Sequence, residues 1–407
     1  MTEELTLCDL TQSYSASGGG IRSYITAKRA FLDAHTPHRH VLIIPGARNK
    51  ISHDGRHTTI EIASPKVPGS PNYRLLLRSR EVIKALRDIR PRTIECLDAY
   101  NLPWAAIAYQ RKMPDATLIA GYRTDFPTVY VEAIFGKFLG PWAGGRLKNR
   151  AYKYAGKLYS KFDGVYALEA TMAQHLCGLG VADVDVLPLG TDIETFHPNK
   201  RDPAWRAELS AGKKDPILVY AGRLDKEKQA DIVVEAFLKL PKDMNASLVM
   251  LGDGKLKHKL IERTKNRAVF FPGYVSDRAE LAKILASSDI YVSAMAFETF
   301  GISIIEAQAA GLPVVGVNAG AMPARVPPQL GRLGPVGDAA AMADNIALLW
   351  ESKQIKQMAI DARTHVIDNF SWQKTFERLF GHIYPKAMRK RPYVKESQMI
   401  LAKRTMR

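Results

Sequence analysis

Through the second half of the chain, short runs rich in branched residues alternate with stretches of helical periodicity, and this alternation constrains the fold most tightly. Strands are expected at Ile217–Tyr220, Ser247–Leu251, Val269–Phe271, Ile290–Ser293 and Pro313–Val317. Helices are expected at Asp231–Leu240, Lys255–Thr264, Arg278–Ala286 and Ile302–Ala310. Strand and helix in turn, at this spacing, require βαβ units with right-handed crossovers and a parallel sheet. The first half keeps the same rhythm less sharply. Strands are expected at Leu5–Leu10, Val41–Ile44, Thr93–Cys96, Thr117–Gly121 and Gly164–Ala167, with helices at Ile21–Ala34 and Glu81–Ile89. A chain of 407 residues exceeds what one hydrophobic core organises. Two Rossmann-like domains are therefore expected, joined near Pro188–Pro198, with an amphipathic helix at Ser371–Tyr384 carrying Trp372, Phe376, Leu379 and Phe380.

Three widely spaced cysteines, Cys8, Cys96 and Cys177, give neither a disulfide framework nor zinc spacing and suit a reduced compartment. The acidic N-terminus does not resemble a secretory signal, and no run approaches the roughly 18 apolar residues of a membrane span. A cytoplasmic protein is expected. Its net charge of +17 favours a polyanionic partner, nucleic acid or anionic membrane. The excess is local: Lys137 to Lys161 holds seven basic residues and no acid, and Lys386 to Arg407 holds eight against Glu396.

Phe297-Glu-Thr-Phe-Gly-Ile-Ser-Ile-Ile-Glu-Ala is the most informative stretch. It sets Glu298 in a loop after a strand, Gly301 where backbone passes close to a ligand, and Glu306 in the first turns of the next helix. A helix N-terminus offers unpaired amides and a partial positive charge suited to a diphosphate, and a nearby carboxylate accepts hydrogen bonds from a diol. Glu306 alone also fits a helix-start acid favoured by the dipole. Gly222 and Arg223 close a strand and Lys228 follows just before a helix, so fixed cations stand where a diphosphate leaving group would be neutralised; a solvated charged turn reads the same way. Leu251-Gly-Asp-Gly and Gly273-Tyr-Val are tight turns after strands.

In the first half, Ser17-Gly-Gly-Gly-Ile-Arg lies between the first strand and helix. It lacks G-x-G-x-x-G spacing, which disfavours a dinucleotide dehydrogenase, yet its amides could reach a phosphate. Arg146, Arg150, Lys153, Lys157 and Lys161 form a charged helical stripe beside an apolar one of Leu147, Ala151, Tyr154, Leu158 and Phe162. Phe138, Leu139 and Trp142 precede them. This composition suits an interfacial helix on anionic lipid as well as a surface helix packing on its own core. Asp183-Val-Asp185 matches a bare acid-x-acid pattern and reads as a turn without a metal role.

In this order and spacing the motifs resemble the nucleotide-sugar half of the retaining glycosyltransferases of family 4, and the resemblance extends through most of the chain. Leu187-Pro-Leu-Gly-Thr-Asp-Ile-Glu-Thr-Phe-His-Pro is similar to the family's interdomain run, and the segment around Trp372 to its closing aromatic helix. The resemblance implies an α/β GT-B architecture, two Rossmann-like domains facing across a cleft with a C-terminal helix crossing back to the first domain. An acceptor-side domain at 1–192, a nucleotide-sugar domain at 193–370 and a returning helix with basic tail at 371–407 follow from it. Glu306 would hold the ribose hydroxyls and Glu298 the donor sugar. Arg223 and Lys228 would grip the diphosphate with the amides of Gly301 and Ile302. Gly222, Asp253, Tyr274, Val275 and Ser303 complete the expected donor side, and Gly19 and Gly20 would face the diphosphate. Tyr122-Arg-Thr-Asp-Phe-Pro resembles a segment in which histidine usually occupies the position of Arg123 and contacts the sugar near its sixth carbon. The departure leaves both a hexosyl and a hexuronosyl donor open, since a guanidinium matches a carboxylate. Asp125 is an acceptor-side contact or a turn residue. Front-face displacement with retention, without metal or cofactor, is the mechanism implied.

The expected function is transfer of a hexosyl or hexuronosyl group from a UDP- or GDP-linked sugar to a membrane lipid or lipid-linked acceptor, at the inner face of an anionic membrane. Trp142, Arg146, Arg150, Lys153, Lys157 and Lys161 would make the membrane contact. A nucleotide-sugar epimerase or phosphorylase of the same fold would carry further cleft acids with a histidine, or a lysine for pyridoxal phosphate. A basic nucleic-acid binder would use aromatics such as Tyr152, Tyr154 and Tyr159 among its cations, but leaves the paired glutamates unexplained. No nucleic-acid partner is expected.

Overall fold

The computed structural model describes residues 4–14, 20–67, 70–132, 140–210 and 215–391. The chain divides into two compact units, Leu189–Lys374 and, flanking it in sequence, Met1–Pro188 with Thr375–Arg407.

The first unit is built on strands β1 (Thr6–Leu10), β2 (Arg39–Gly46), β3 (Lys50–Asp54) and β4 (His57–Ala63), then, past a two-stranded ribbon of β5 (Lys66–Val67) and β6 (Ser70–Arg74), on β7 (Thr93–Cys96), β8 (Thr117–Tyr122), β9 (Gly164–Ala167) and β10 (Val184–Val186). The main sheet runs β10-β9-β8-β7-β1-β2-β4-β3. Its pairs are parallel except β3 with β4. Central β1 is buried on both faces through Leu7, Cys8 and Leu10, as in a parallel sheet covered on both sides. The β3–β4 hairpin lies outside the expected elements. Asp54-Gly55 is its signal: Gly55 takes φ +54°, and the two-residue loop lets Asp54 pair with His57.

The second unit holds β11 (Ile217–Ala221), β12 (Ser247–Leu251), β13 (Val269–Gly273), β14 (Ile290–Val292), β15 (Val314–Val317) and β16 (Gly331–Gly334). They form one parallel sheet in the order β13-β12-β11-β14-β15-β16. The expected strands of this half fall within one or two residues of those observed. The helices Ala339–Trp350 and Ile355–Asn369, which the periodicity reading did not assign, complete its outer layer. Asp338 caps the first of them by accepting from the amides of Ala340 and Ala341.

The closing segment differs from the single helix expected at Ser371–Tyr384. An α-helix at Trp372–Arg378 passes through a π-turn at Leu379–Ile383, which contains Gly381, into a second α-helix at Tyr384–Arg389. From Thr375 onward it belongs to the first unit. Phe376 and Phe380 lie 5.5 and 5.6 Å from Phe31. The Tyr384 hydroxyl donates to Glu95 at 2.7 Å and accepts from Lys28 at 2.9 Å. Lys28 is fully buried, with its ammonium 2.6 Å from both Asp9 and Glu95. Those two carboxylates outweigh the cost of burying the ammonium and hold its pKa above the ordinary lysine value. The return of the C-terminal segment to the first unit is thus sealed by a buried ionic knot. Among the described residues no helix is long and apolar enough to cross a membrane.

Candidate active site

In the second unit the strand order reverses between β11 and β14. Open parallel sheets form their ligand crevice at such a point, outside the carboxyl ends of the strands. The loops that leave those two strands carry the residues singled out in the sequence. Lys228 Nζ lies 3.2 Å from Glu298 Oε2, and Glu298 Oε1 accepts from the amide of Gly301 at 3.2 Å. Gly301 caps the helix Ile302–Ala309 at φ +85°, where a Cβ would stand 2.7 Å from Ile304 Cδ1. The positive φ favours glycine there, and the helix's first amides are presented at that point. The Tyr291 hydroxyl donates to Ala221 O at 3.2 Å, so one buried tyrosine fastens the end of β11 beside this site. The sequence reading did not select it.

Glu306 is buried, and Arg278 donates to its Oε1 at 2.8 Å. Burial pushes its carboxyl above the usual glutamate range, partly offset by the Arg278 guanidinium. Arg278 in turn stacks on Phe196, 4.5 Å from the ring centre. No motif announced Arg278, because 28 residues separate it from the carboxylate it holds. Among the described residues Arg223 forms no ion pair with Glu298 or Glu306. It pairs within its own turn, 2.5 Å from Asp225 and 2.8 Å from Glu227. The turns behind it interlock: Gly222 N donates to Leu251 O, Leu224 N to Asp253 O and Gly252 N to Gly273 O. A Cβ on Gly252 would meet Gly222 O at 1.9 Å. Asp253 pairs with Lys257 at 3.3 Å, Tyr274 is exposed, and Val275 is half-buried.

In the first unit the order reverses between β1 and β7. A pocket there is lined by Ser13, Ile21, Asp98, Tyr100, Arg123 and Phe126. Gly20 opens the helix Gly20–His35, and a Cβ on it would meet nothing within 4 Å; Gly19 lies outside the described residues. Arg123 is buried, its guanidinium 4.1 Å from the Tyr24 ring centre and 3.5 Å from the Tyr166 hydroxyl. It does not pair with Asp125, whose two oxygens accept from Tyr122 and Tyr152, each at 2.8 Å.

The basic stripe is exposed at Arg146, Arg150, Lys153 and Lys157 along the helix Pro141–Tyr159, while Ala155 and Leu158 face inward. Arg146 stacks on the exposed Trp142 at 4.1 Å. Lys161 departs from the expectation. The helix ends at Tyr159, where Lys161 N and Phe162 N turn back to Leu158 O and Tyr159 O, so Lys161 sits in the turn into β9. Lys137, Phe138, Leu139 and the tail beyond Arg391 lie outside the described residues. Lys386 lies between Asp183 and Asp185, 2.6 and 2.9 Å away. Among the described residues no three or more metal-ligating side chains converge.

Comparison with known proteins adds the family. The family model described as "Glycosyltransferase Family 4" matches residues 18–195, and "Glycosyl transferases group 1" matches 201–365. The GDP-mannose-dependent alpha-(1-6)-phosphatidylinositol dimannoside mannosyltransferase of Mycobacterium tuberculosis (strain ATCC 25177 / H37Ra) is 28% identical over 74% of this chain and 76% of its own. A GDP-mannose-dependent alpha-mannosyltransferase of M. tuberculosis (strain CDC 1551 / Oshkosh) is 28% identical over 85% of this chain and 88% of its own. Among solved structures, sucrose-phosphate synthase from Thermosynechococcus elongatus superposes with a TM-score of 0.73 at 17% identity, covering 94% of this chain and 99% of that one.

Proposed function

Because the chain belongs to the family-4 glycosyltransferases and has the GT-B fold, we propose that it transfers a hexosyl group from a nucleotide-diphosphate sugar to a membrane lipid or lipid-linked acceptor, with retention and without a metal. The observation that carries this reading is the meeting of Lys228, Glu298 and the Gly301 helix cap at the β11–β14 switch point. There a cation, oriented amides and a carboxylate serve a sugar diphosphate. Lys228 and the first amides of the helix Ile302–Ala309 stabilise charge as it gathers on the departing diphosphate. Glu298 orients the sugar, and Glu306, steadied by Arg278, takes the ribose hydroxyls. The acceptor oxygen bonds the anomeric carbon on the face from which the diphosphate leaves, and its proton passes to the diphosphate.

The similarity to the two GDP-mannose-dependent mannosyltransferases favours GDP-mannose as donor, and the first favours a phosphoinositide-type lipid as acceptor. Arg123, committed to Tyr24 and Tyr166, gives a uronate donor no support. The first unit takes the acceptor role and the second the donor role. The exposed stripe Arg146, Arg150, Lys153 and Lys157, with Trp142, holds the enzyme on the anionic inner face of a membrane. A panel of labelled GDP-mannose, UDP-glucose and UDP-glucuronate with membrane-lipid extract tests the reading: label should enter lipid from GDP-mannose, and preference for the uronate would overturn the donor assignment.

A further inference from the structure

The loop from β14 to the helix Ile302–Ala309 carries one peptide that is held by charge on both sides. The Phe300 carbonyl accepts from Arg325 Nε at 3.0 Å, and the other half of the same peptide unit, the Gly301 amide, donates to Glu298 Oε1 at 3.2 Å. A cation at the oxygen and a carboxylate at the N–H align the peptide dipole between them. Arg325 ends the short helix Met322–Arg325 and is buried. Its guanidinium lies between two rings, 4.2 Å from the centre of Phe300 and 4.6 Å from that of Phe370. Its own carbonyl accepts at 2.7 Å from Gln308 Nε2, on the helix that Gly301 caps. The cation is fixed within the second unit before the loop meets any ligand.

The glycine gives this anchoring its purpose. Gly301 takes φ +85°. Turning the peptide over would carry that angle roughly 180° round, to a negative value that glycine adopts about as readily. The turned peptide would aim Phe300 O at Glu298 and withdraw the Gly301 amide from the site. We propose that Arg325 is a positioning residue that locks the Phe300–Gly301 peptide with its amide toward the donor site, and that through this amide it fixes Glu298. That the amide serves a sugar diphosphate rests on the transferase reading; the lock itself does not.

The test uses the full chain with isotope-labelled glycine, followed by NMR. In the wild-type background Glu298→Ala should move the Gly301 amide resonance; in the Arg325→Met background the same change should leave it in place. Methionine still packs against the two rings while removing the donor, and Arg325→Leu removes the same donor should the methionine variant not fold. GDP affinity should fall at least fivefold in the Arg325 variant, while affinity for guanosine, which has no diphosphate, stays within twofold; loss of packing alone would weaken both. An Arg325 variant whose Gly301 resonance still responds to Glu298→Ala as in wild type, or one that loses GDP and guanosine equally, overturns the proposal. A Gly301 response that depends on Arg325 in a wild-type chain that does not bind GDP would count against the nucleotide-sugar reading alone.

Discussion

Glu306 carries its carboxylate in a buried position with Arg278 2.8 Å away, and that geometry sets its pH behaviour. Burial raises its pKa, so the fold favours the protonated acid. The stability it contributes is full below the ordinary glutamate range and is lost as pH rises through the raised value. Nucleotide affinity should move the other way, because the ionised form accepts ribose hydroxyls more strongly. GDP affinity measured against pH should rise through that value in wild type and flatten in Glu306→Gln; a rising limb retained by the variant would remove Glu306 from the site. Arg278→Ala should weaken GDP binding by roughly tenfold, since a charge-assisted contact is worth about 1.5–3 kcal/mol and its loss leaves Glu306 buried alone. The two glutamates were legible because their seven-residue gap straddles a glycine at a strand-to-helix turn. Arg278 was not, because it gains its meaning from a partner on another element that spacing does not reveal.

The helix Pro141–Tyr159 turns Arg146, Arg150, Lys153 and Lys157 to solvent and Ala155 and Leu158 to the core. Replacing Arg150, Lys153 and Lys157 with glutamate should therefore leave the melting temperature almost unchanged while abolishing sedimentation with anionic liposomes. Binding should weaken with salt as the Debye length shrinks. Equal binding to neutral vesicles, or unchanged binding by the triple variant, would remove this surface from the account. The stripe could be read from period alone. Its end could not, because the turn at Lys161 precedes a contact with another element that period does not reveal: Asp163 accepts from the amide of Leu118 at 2.9 Å at the entry to β9. The β3–β4 hairpin shows the opposite case: its Asp-Gly signal was present, and only the absence of long apolar runs in Lys50–Asp54 hid it.

Across the whole molecule, the parallel sheets followed from the alternation of apolar runs and helical periods, while the closure of the C-terminal segment rests on contacts hundreds of residues apart. Lys28 reaches Tyr384 across 356 positions. Lys28→Met would leave Asp9 and Glu95 buried without their counter-ion and should cost on the order of 3–5 kcal/mol. Tyr384→Phe should cost only about 1–2 kcal/mol, because Lys28, Tyr24 and Tyr166 still bond Glu95. Thermal melts of the two variants check that order, and a reversed ranking would show that the knot does not carry the closure.

The central claim is that Lys228, Glu298 and the Gly301 cap hold a sugar diphosphate for metal-free transfer to lipid. It is tested most directly by incorporation of labelled mannose from GDP-mannose into membrane-lipid extract, in the presence of EDTA, by wild type and by Lys228→Ala. Incorporation by the wild-type protein that the variant reduces at least tenfold is the result predicted. Complete loss with EDTA that magnesium restores, or equal incorporation by the variant, would contradict it.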